Sequence, residues 1–289
     1  MIRRLAVIGV GLIGGSLALA LRRKGMVKEV VGCGRGRANL EQAEHLGIID
    51  RIADTPAEAV IGADMVFVAV PVGAMPALFA AIAPVLEPDG IVTDAGSTKS
   101  DVVEAARRHL GERVGRFVPA HPIAGAEKSG ARAARPELFK DKHLIITPLA
   151  DNAPADIKQV RTMWQACGAQ VEEMPPEVHD RVFAAVSHLP HLAAFALMEE
   201  LAGREEADVF FRYAGSGFRD FTRIAGSHPE MWRDIALANH LAVLAELDLY
   251  IDKLKAIRGL IERADGPSLE ELFARARGAR EQWIKHKQP

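Results

Sequence analysis

Four groups of residues in this 289-residue chain have types and spacings suited to chemistry. The first is Gly9-Val10-Gly11-Leu12-Ile13-Gly14, directly after the apolar run Leu5–Ile8. Glycines at this spacing let a strand turn tightly into a helix, whose N-terminus offers unpaired N–H groups to a dinucleotide pyrophosphate. The second is Ser97 in Asp94-Ala95-Gly96-Ser97-Thr98-Lys99, where the hydroxyl either caps a following helix or faces a reacting carbon. The third is His121 in His121-Pro122-Ile123-Ala124-Gly125. An imidazole titrating near pH ~6.5 has its neutral form available as a general base at pH 7; a structural histidine is the other reading. The fourth lies further on, in Ser187-His188-Leu189-Pro190-His191 and Gly217-Phe218-Arg219-Asp220-Phe221-Thr222-Arg223-Ile224. Two imidazoles three apart share a helix face, but no third ligand stands at a suitable spacing, so no metal is expected. Arg219 and Arg223, four apart beside Asp220, form either a surface ion-pair cluster or a fork for the carboxylate of a small acid.

The elements that must hold these groups follow from hydrophobic periodicity. Glu29–Cys33, Met65–Pro71, Gly90–Asp94 and Arg116–Ala120 are short apolar runs, alternating with helical stretches near Gly14–Lys24, Asn39–Leu46 and Pro76–Leu86. Strand and helix at this spacing predict an α/β, Rossmann-type doubly wound parallel sheet. Ligands bind beyond the C-terminal strand ends of such a sheet, so the loops Gly9–Gly14, Val70–Gly73 and Asp94–Lys99 should face one crevice. The expected nucleotide contacts are Gly9, Gly11, Leu12, Ile13, Gly14, Val70 and Pro71. An acid that would bind a ribose 2′-hydroxyl is expected where the second strand ends, but Gly34-Arg35-Gly36-Arg37 stands there. A missing carboxylate and a guanidinium at Arg35 favour a 2′-phosphate, hence NADP or use of both NAD and NADP. His143–Thr147 and Gln170–Met174 read as the last strands.

At Pro175-Pro176 the texture changes to helical periodicity alone, giving a dinucleotide-binding domain over 1–174 and an all-α domain over 175–289. One helix is expected near Glu177–Leu201. A long one should start at Pro229 and carry Trp232 through Ile251, and a final one follows Pro267-Ser268. Their apolar surface exceeds what neighbours would cover, which suggests a homodimer built on the helical domain. Net charge is −2 with 26% charged residues, so nothing points to nucleic acid. Arg3-Arg4 before Leu5–Leu21 imitates a signal peptide, but the run is glycine-dense and too short to span a membrane. Cys33 and Cys167 lack metal-ligand spacing and read as buried apolar residues of a reducing, cytoplasmic compartment.

Taken in order, Gly9-x-Gly11-x-x-Gly14-Gly15-Ser16, Gly96-Ser97-Thr98-Lys99, His121-Pro122-Ile123-Ala124-Gly125, Glu127-Lys128-Ser129-Gly130, Ser187-His188-Leu189-Pro190-His191 and Phe218-Arg219-Asp220-Phe221-Thr222-Arg223-Ile224-Ala225 resemble the prephenate/arogenate (cyclohexadienyl) dehydrogenases over nearly the whole chain. The resemblance implies oxidative decarboxylation of prephenate to 4-hydroxyphenylpyruvate, or of arogenate to tyrosine, with hydride transfer to NAD(P)+ in tyrosine biosynthesis. It also implies a homodimer and no metal. His121 would take the proton of the substrate C4 hydroxyl, with Ser97 holding that hydroxyl and the imidazole in register. His191 and Ser187 would contact the substrate, Arg223 would grip a carboxylate, and Asp220 and Glu127 would act as neighbouring or gating charges. Trp232 would help close the pocket. Ala126 replaces the threonine of some relatives, and Gly34-Arg35 replaces the NAD acid. With no chorismate-mutase segment before the glycines, a monofunctional enzyme is expected. The rivals are a β-hydroxyacid-type dehydrogenase, which needs a lysine absent between Pro176 and Arg223, and a dinucleotide-sensing protein without turnover.

Overall fold

The computed structural model describes residues 1–125 and 129–287. Six parallel strands form the first sheet: β1 (Ile2–Ile8), β2 (Val27–Cys33), β3 (Arg51–Ile52), β4 (Met65–Val68), β5 (Ile91–Asp94) and β6 (Phe117–Val118). Their order is β3-β2-β1-β4-β5-β6, which reverses direction between β1 and β4 and opens a crevice there. The strands are apolar on both sides because both sides are covered. Leu5, Val7, Met65 and Phe67 pack into one core with Leu17, Leu21 and Trp164. Ala6, Ile8, Val66 and Val68 pack into the other with Met75, Phe79 and Trp232.

The run expected as one strand over Arg116–Ala120 is divided. Pro119 has no N–H to continue a ladder, and after it the chain enters a second sheet. This sheet contains β7 (Ala120–Pro122), β8 (His143–Ile146) and β9 (Gln170–Glu173), with β7 antiparallel and β9 parallel to β8. His121 therefore sits inside β7, opposite Ile145, and not at the end of a strand of the main sheet. The last two expected strands belong to this smaller sheet. β3 and the one-turn helix Pro56–Val60 are additions too short to carry a periodic pattern.

From Pro176 a continuous helical run follows: Pro176–Phe183, a π-helical turn over Ala184–His188, then Leu189–Ala202. Pro190 cannot donate to the turn before it, and the widened turn accommodates the missing bond. The helix expected from Pro229 through Ile251 is interrupted. It ends at Ala238, and Asn239 leaves the helical conformation while its side-chain amide donates to the Asp180 carbonyl at 2.8 Å. Residues Met1–His240 form one compact unit and Leu241–Pro289 a second. Within the second, the helix Gly266–Lys287 follows a tight turn at Ala264 (φ 50°), and Asp265 accepts from the Ser268 N–H at 3.1 Å. Asp265 thus caps this helix, which begins at Gly266, ahead of Pro267-Ser268. Leu241, Leu244, Leu249, Leu254 and Phe273 of this unit are exposed.

Candidate active site

The glycine turn is built as its sequence requires. Gly9 has φ +99°, and a Cβ there would lie 2.2 Å from the Ala69 carbonyl oxygen; a Cβ on Gly14 would lie 2.2 Å from the Gly9 oxygen. Gly11 differs, since a Cβ there would meet nothing within 4 Å and would project into open space. Gly11 precedes the helix Leu12–Arg23, two residues earlier than expected, so its open side lies at a helix N-terminus. This cradle fits a pyrophosphate.

Two cavities meet at this turn. One, of about 680 Å³, runs from Gly9 and Gly11 past Val70 and Pro71 to Gly34, Arg35 and Asp54. The other, of about 420 Å³, is lined by Gly11, Leu12, Ile13, Val70, Pro71, Ser97, His121, Ser129, His228 and Met231, among others. The three loops predicted to face one crevice do so. Arg35 lines the first cavity with its side chain 80% exposed, 3.4 Å from Glu230. Arg37 is engaged by Glu41 at 3.0 Å and Asp54 at 3.1 Å.

His121 lines the second cavity and heads a chain of polar contacts. Its Nδ1 is 2.8 Å from His179 Nε2, and His179 Nδ1 is 2.8 Å from Asp180 Oδ1. Phe183 packs edge-on against the His121 ring at 5.0 Å and lies tilted against the His179 ring at 4.4 Å. Burial holds His121 well below the ordinary imidazole range, and His179, Lys99 and His188 add to the depression. Its neutral form is therefore the one present at pH 7.

Asp180 also organises the neighbouring loop. It accepts from the backbone N–H of Lys99 and of Ser100, each at 2.8 Å, at the start of the helix Ser100–Leu110. This remote carboxylate does the capping that is one of the two readings of Ser97, and Ser97 is left lining the cavity. Burial alone would raise the Asp180 carboxyl, but hydrogen bonds from His179, Ser100 and Lys99 outweigh it and hold it low. Lys99 is fully buried, with Nζ 2.5 Å from Asp94 Oδ2 and 2.8 Å from the Ala120 carbonyl. Asp94 in turn accepts from Ala120 N at 2.9 Å and Gly96 N at 2.8 Å. Ser97 and His121 are thus braced from one buried ion pair.

The substrate residues proposed on the helical segments lie beside this cavity without lining it. His191 stacks on Trp232 with ring centroids 3.6 Å apart, and its Nδ1 bonds the Ser187 carbonyl at 2.8 Å. Burial lowers the His191 pKa, the Ser187 carbonyl partly restores it, and Arg223 lowers it further, so Arg223 acts on this ring electrostatically. Arg223 and Asp220 are exposed, and Ser187 is half-buried. Glu127 lies outside the described residues. His188 turns inward; Asn239 approaches its Nδ1 at 3.2 Å, and burial pushes it down to about 4. Among the described residues no cluster of three or more His, Cys, Asp or Glu could hold a metal. Both cysteines are free and buried.

Sequence reasoning missed His179, Asp180, Lys99 and His228. The available signal was that His179 and Asp180 lie one turn before Phe183 and Ala184, on the face that turns inward.

Four imidazoles held low have a consequence for stability. Above pH ~6.5 both folded and unfolded chains carry them neutral. Below it the unfolded chain binds protons that the fold refuses, so stability falls with pH. For buried His188 the loss runs from pH ~6.5 to its folded value of about 4 and reaches about 3 kcal/mol. Thermal unfolding should therefore give a Tm that declines from pH 7 to pH 5; a flat or rising Tm would refute the neutral-histidine interior.

Comparisons with known proteins give the family. The family model "Prephenate dehydrogenase, nucleotide-binding domain" matches residues 17–173, and "Prephenate dehydrogenase, dimerization domain" matches residues 175–275. The cyclohexadienyl dehydrogenase of Zymomonas mobilis is 37% identical over 96% of this chain and 95% of its own. The prephenate dehydrogenase of Bacillus subtilis is 36% identical over 94% of this chain and 74% of its own. The crystal structure of prephenate dehydrogenase from A. aeolicus in complex with hydroxyphenyl propionate and NAD+ has a TM-score of 0.91 at 37% identity, covering 98% of both chains. With its glycine cradle, its switch-point crevice and its two matched domains, this chain belongs to the prephenate dehydrogenase family.

Proposed function

We propose that this protein oxidatively decarboxylates prephenate to 4-hydroxyphenylpyruvate, with an NAD(P)+ cofactor, in tyrosine biosynthesis. One observation carries the reading. His121 Nδ1 is tied to His179, while Nε2 has no hydrogen-bond partner among the described residues and belongs to a ring lining the cavity that meets the glycine turn. Gly9, Gly11, Leu12, Ile13, Gly14, Val70 and Pro71 would hold the dinucleotide. Its nicotinamide, when bound, supplies the acceptor for the hydrogen and electron pair that leave substrate C4.

His121 takes the hydroxyl proton at Nε2, and Ser97 orients that hydroxyl. Loss of the ring carboxyl as CO₂ completes an aromatic ring, so the reaction is strongly downhill once C4 is oxidised. The protein then mainly needs to position the substrate and provide one base, worth ~10²–10⁴-fold. Arg223 pairs a substrate carboxylate, and His191, stacked on Trp232, presents its remaining nitrogen to the same ligand; Ser187, Asp220 and Glu127 complete the surroundings. Residues 1–174 serve the nucleotide and residues 175–289 the substrate and a homodimer contact, for which the exposed Leu241, Leu244, Leu249 and Leu254 supply apolar surface. The free cysteines suit a cytoplasmic enzyme.

Two observations favour use of both cofactors. Arg35 is exposed on the rim of the first cavity, able to meet a 2′-phosphate, and Asp54 on the same cavity can accept from a 2′-hydroxyl. Arogenate is the second substrate to test, because one relative acts under the broader name cyclohexadienyl dehydrogenase. Purified protein should be given prephenate or arogenate, crossed with NAD+ or NADP+, while absorbance of the reduced nicotinamide is followed. Turnover of prephenate with either cofactor is expected; no turnover of either substrate would overturn the assignment.

A further inference from the structure

The chain His121–His179–Asp180 is continuous, and its direction can be assigned. Asp180 accepts from two backbone N–H groups and is held ionised, so His179 Nδ1 must donate to it. His179 Nε2 is then an acceptor, and His121 Nδ1 must carry the proton between the two rings. The free electron pair of His121 consequently lies on Nε2.

Resting on the reading of His121 as the base, we propose that His179 is a positioning and relay residue. It fixes His121 as the Nδ1–H tautomer and receives that proton when Nε2 takes the one from the substrate hydroxyl. The substrate O–H bond breaks as His121 Nε2–H forms; His121 Nδ1–H breaks as His179 Nε2–H forms. The positive charge comes to rest on His179 against the Asp180 carboxylate. When CO₂ leaves and the ring becomes aromatic, the product oxygen takes back the proton from His121 Nε2, and the proton on His179 Nε2 returns to His121 Nδ1 before product departs.

The surroundings favour that resting place. The charged and titratable groups acting on His121 are Lys99, His179 and His188, and each disfavours a cation there. At His179 the bond to Asp180, together with the charges of Asp180 and Asp94, works in the opposite direction against burial and Lys99. Phe183 packs on both rings and keeps them in line. A histidine retained only to fill space would not need its two nitrogens matched in sequence to a carboxylate and to a second ring.

The test is His179→Gln. The amide oxygen can still accept from His121 Nδ1 and the amide nitrogen can still donate to Asp180, but glutamine cannot take a proton. Expected are a kcat at least about tenfold lower, an unchanged KM for prephenate and an unchanged Tm. The acid limb of the kcat/KM profile should also move to lower pH, because the two rings titrate as one system in the wild type. Nitrogen-15 NMR of the imidazoles in the free wild-type enzyme provides a readout that needs neither turnover nor the variant. It should find His121 as the Nδ1–H tautomer, assigned by loss of its signals in His121→Asn. A wild-type His121 protonated on Nε2, or a His179→Gln enzyme with wild-type kcat and pH profile, overturns the relay. Failure of the wild type to oxidise prephenate would overturn the functional assignment instead, leaving the tautomer result to stand by itself.

Discussion

His121→Asn should lower kcat by about 10²–10⁴-fold while leaving prephenate binding in place. Asparagine is the informative replacement because its amide nitrogen can occupy the place of Nδ1 and keep the bond to His179. What it removes is the basic nitrogen on the cavity side. Dissociation constants from calorimetry and steady-state rates measured on the same preparation separate the two effects. A kcat within about threefold of wild type would remove His121 from the chemistry. The contrasting variant is Arg223→Ala. Loss of a charged hydrogen bond costs about 1.5–3 kcal/mol, so KM should rise roughly ten- to a hundredfold with a smaller change in kcat. A change confined to Tm would mark Arg223 as a surface ion-pair residue.

Lys99→Met should be the most destabilising single change in the region of the site. Both charged groups of the Lys99–Asp94 pair have no exposure to solvent. Removing the ammonium leaves the Asp94 carboxylate buried with only the N–H groups of Gly96 and Ala120. Stripping one partner from such a pair costs about 3–5 kcal/mol. At roughly 2–4 °C per kcal/mol for a unit of this size, Tm should fall by about 6–20 °C. Adding Asp94→Asn to Lys99→Met should recover part of the loss, since a neutral amide strands no charge. A Tm within about 2 °C of wild type for the single variant would show that the pair is not load-carrying in the fold.

What could be read from the sequence was governed by how repetitive each physical signal is. Met65–Val68 is apolar at every position because the sheet is covered on both faces, so its strand is visible without any structure. The glycine turn is equally visible, since Gly9 and Gly14 face backbone oxygens at distances no side chain tolerates. Single-residue events were not visible. Pro119 diverts one apolar run into two sheets, and Asn239 interrupts what its neighbours' periodicity describes as one helix. The site divides in the same way. Ser97 and His121 stand in short, unusual stretches and line one cavity, whereas His179 and Asp180 look like ordinary polar residues of a helix. Their importance comes from partners 58 and 81 positions away, which no local pattern encodes.

The carboxylate of Asp180 begins the helix at Ser100, and the amide of Asn239 fastens the carbonyl of that same aspartate. A cut between residues 174 and 175 would divide the first of these bonds and leave the second within the helical half, although it follows the border between the two matched family domains. The nucleotide half released by such a cut would keep its phosphate cradle but lose the brace behind Lys99 and the ring behind His121. For anyone building chimeras between relatives, the exchangeable module that keeps His121 with its partners is the stretch ending at His240, carried over whole.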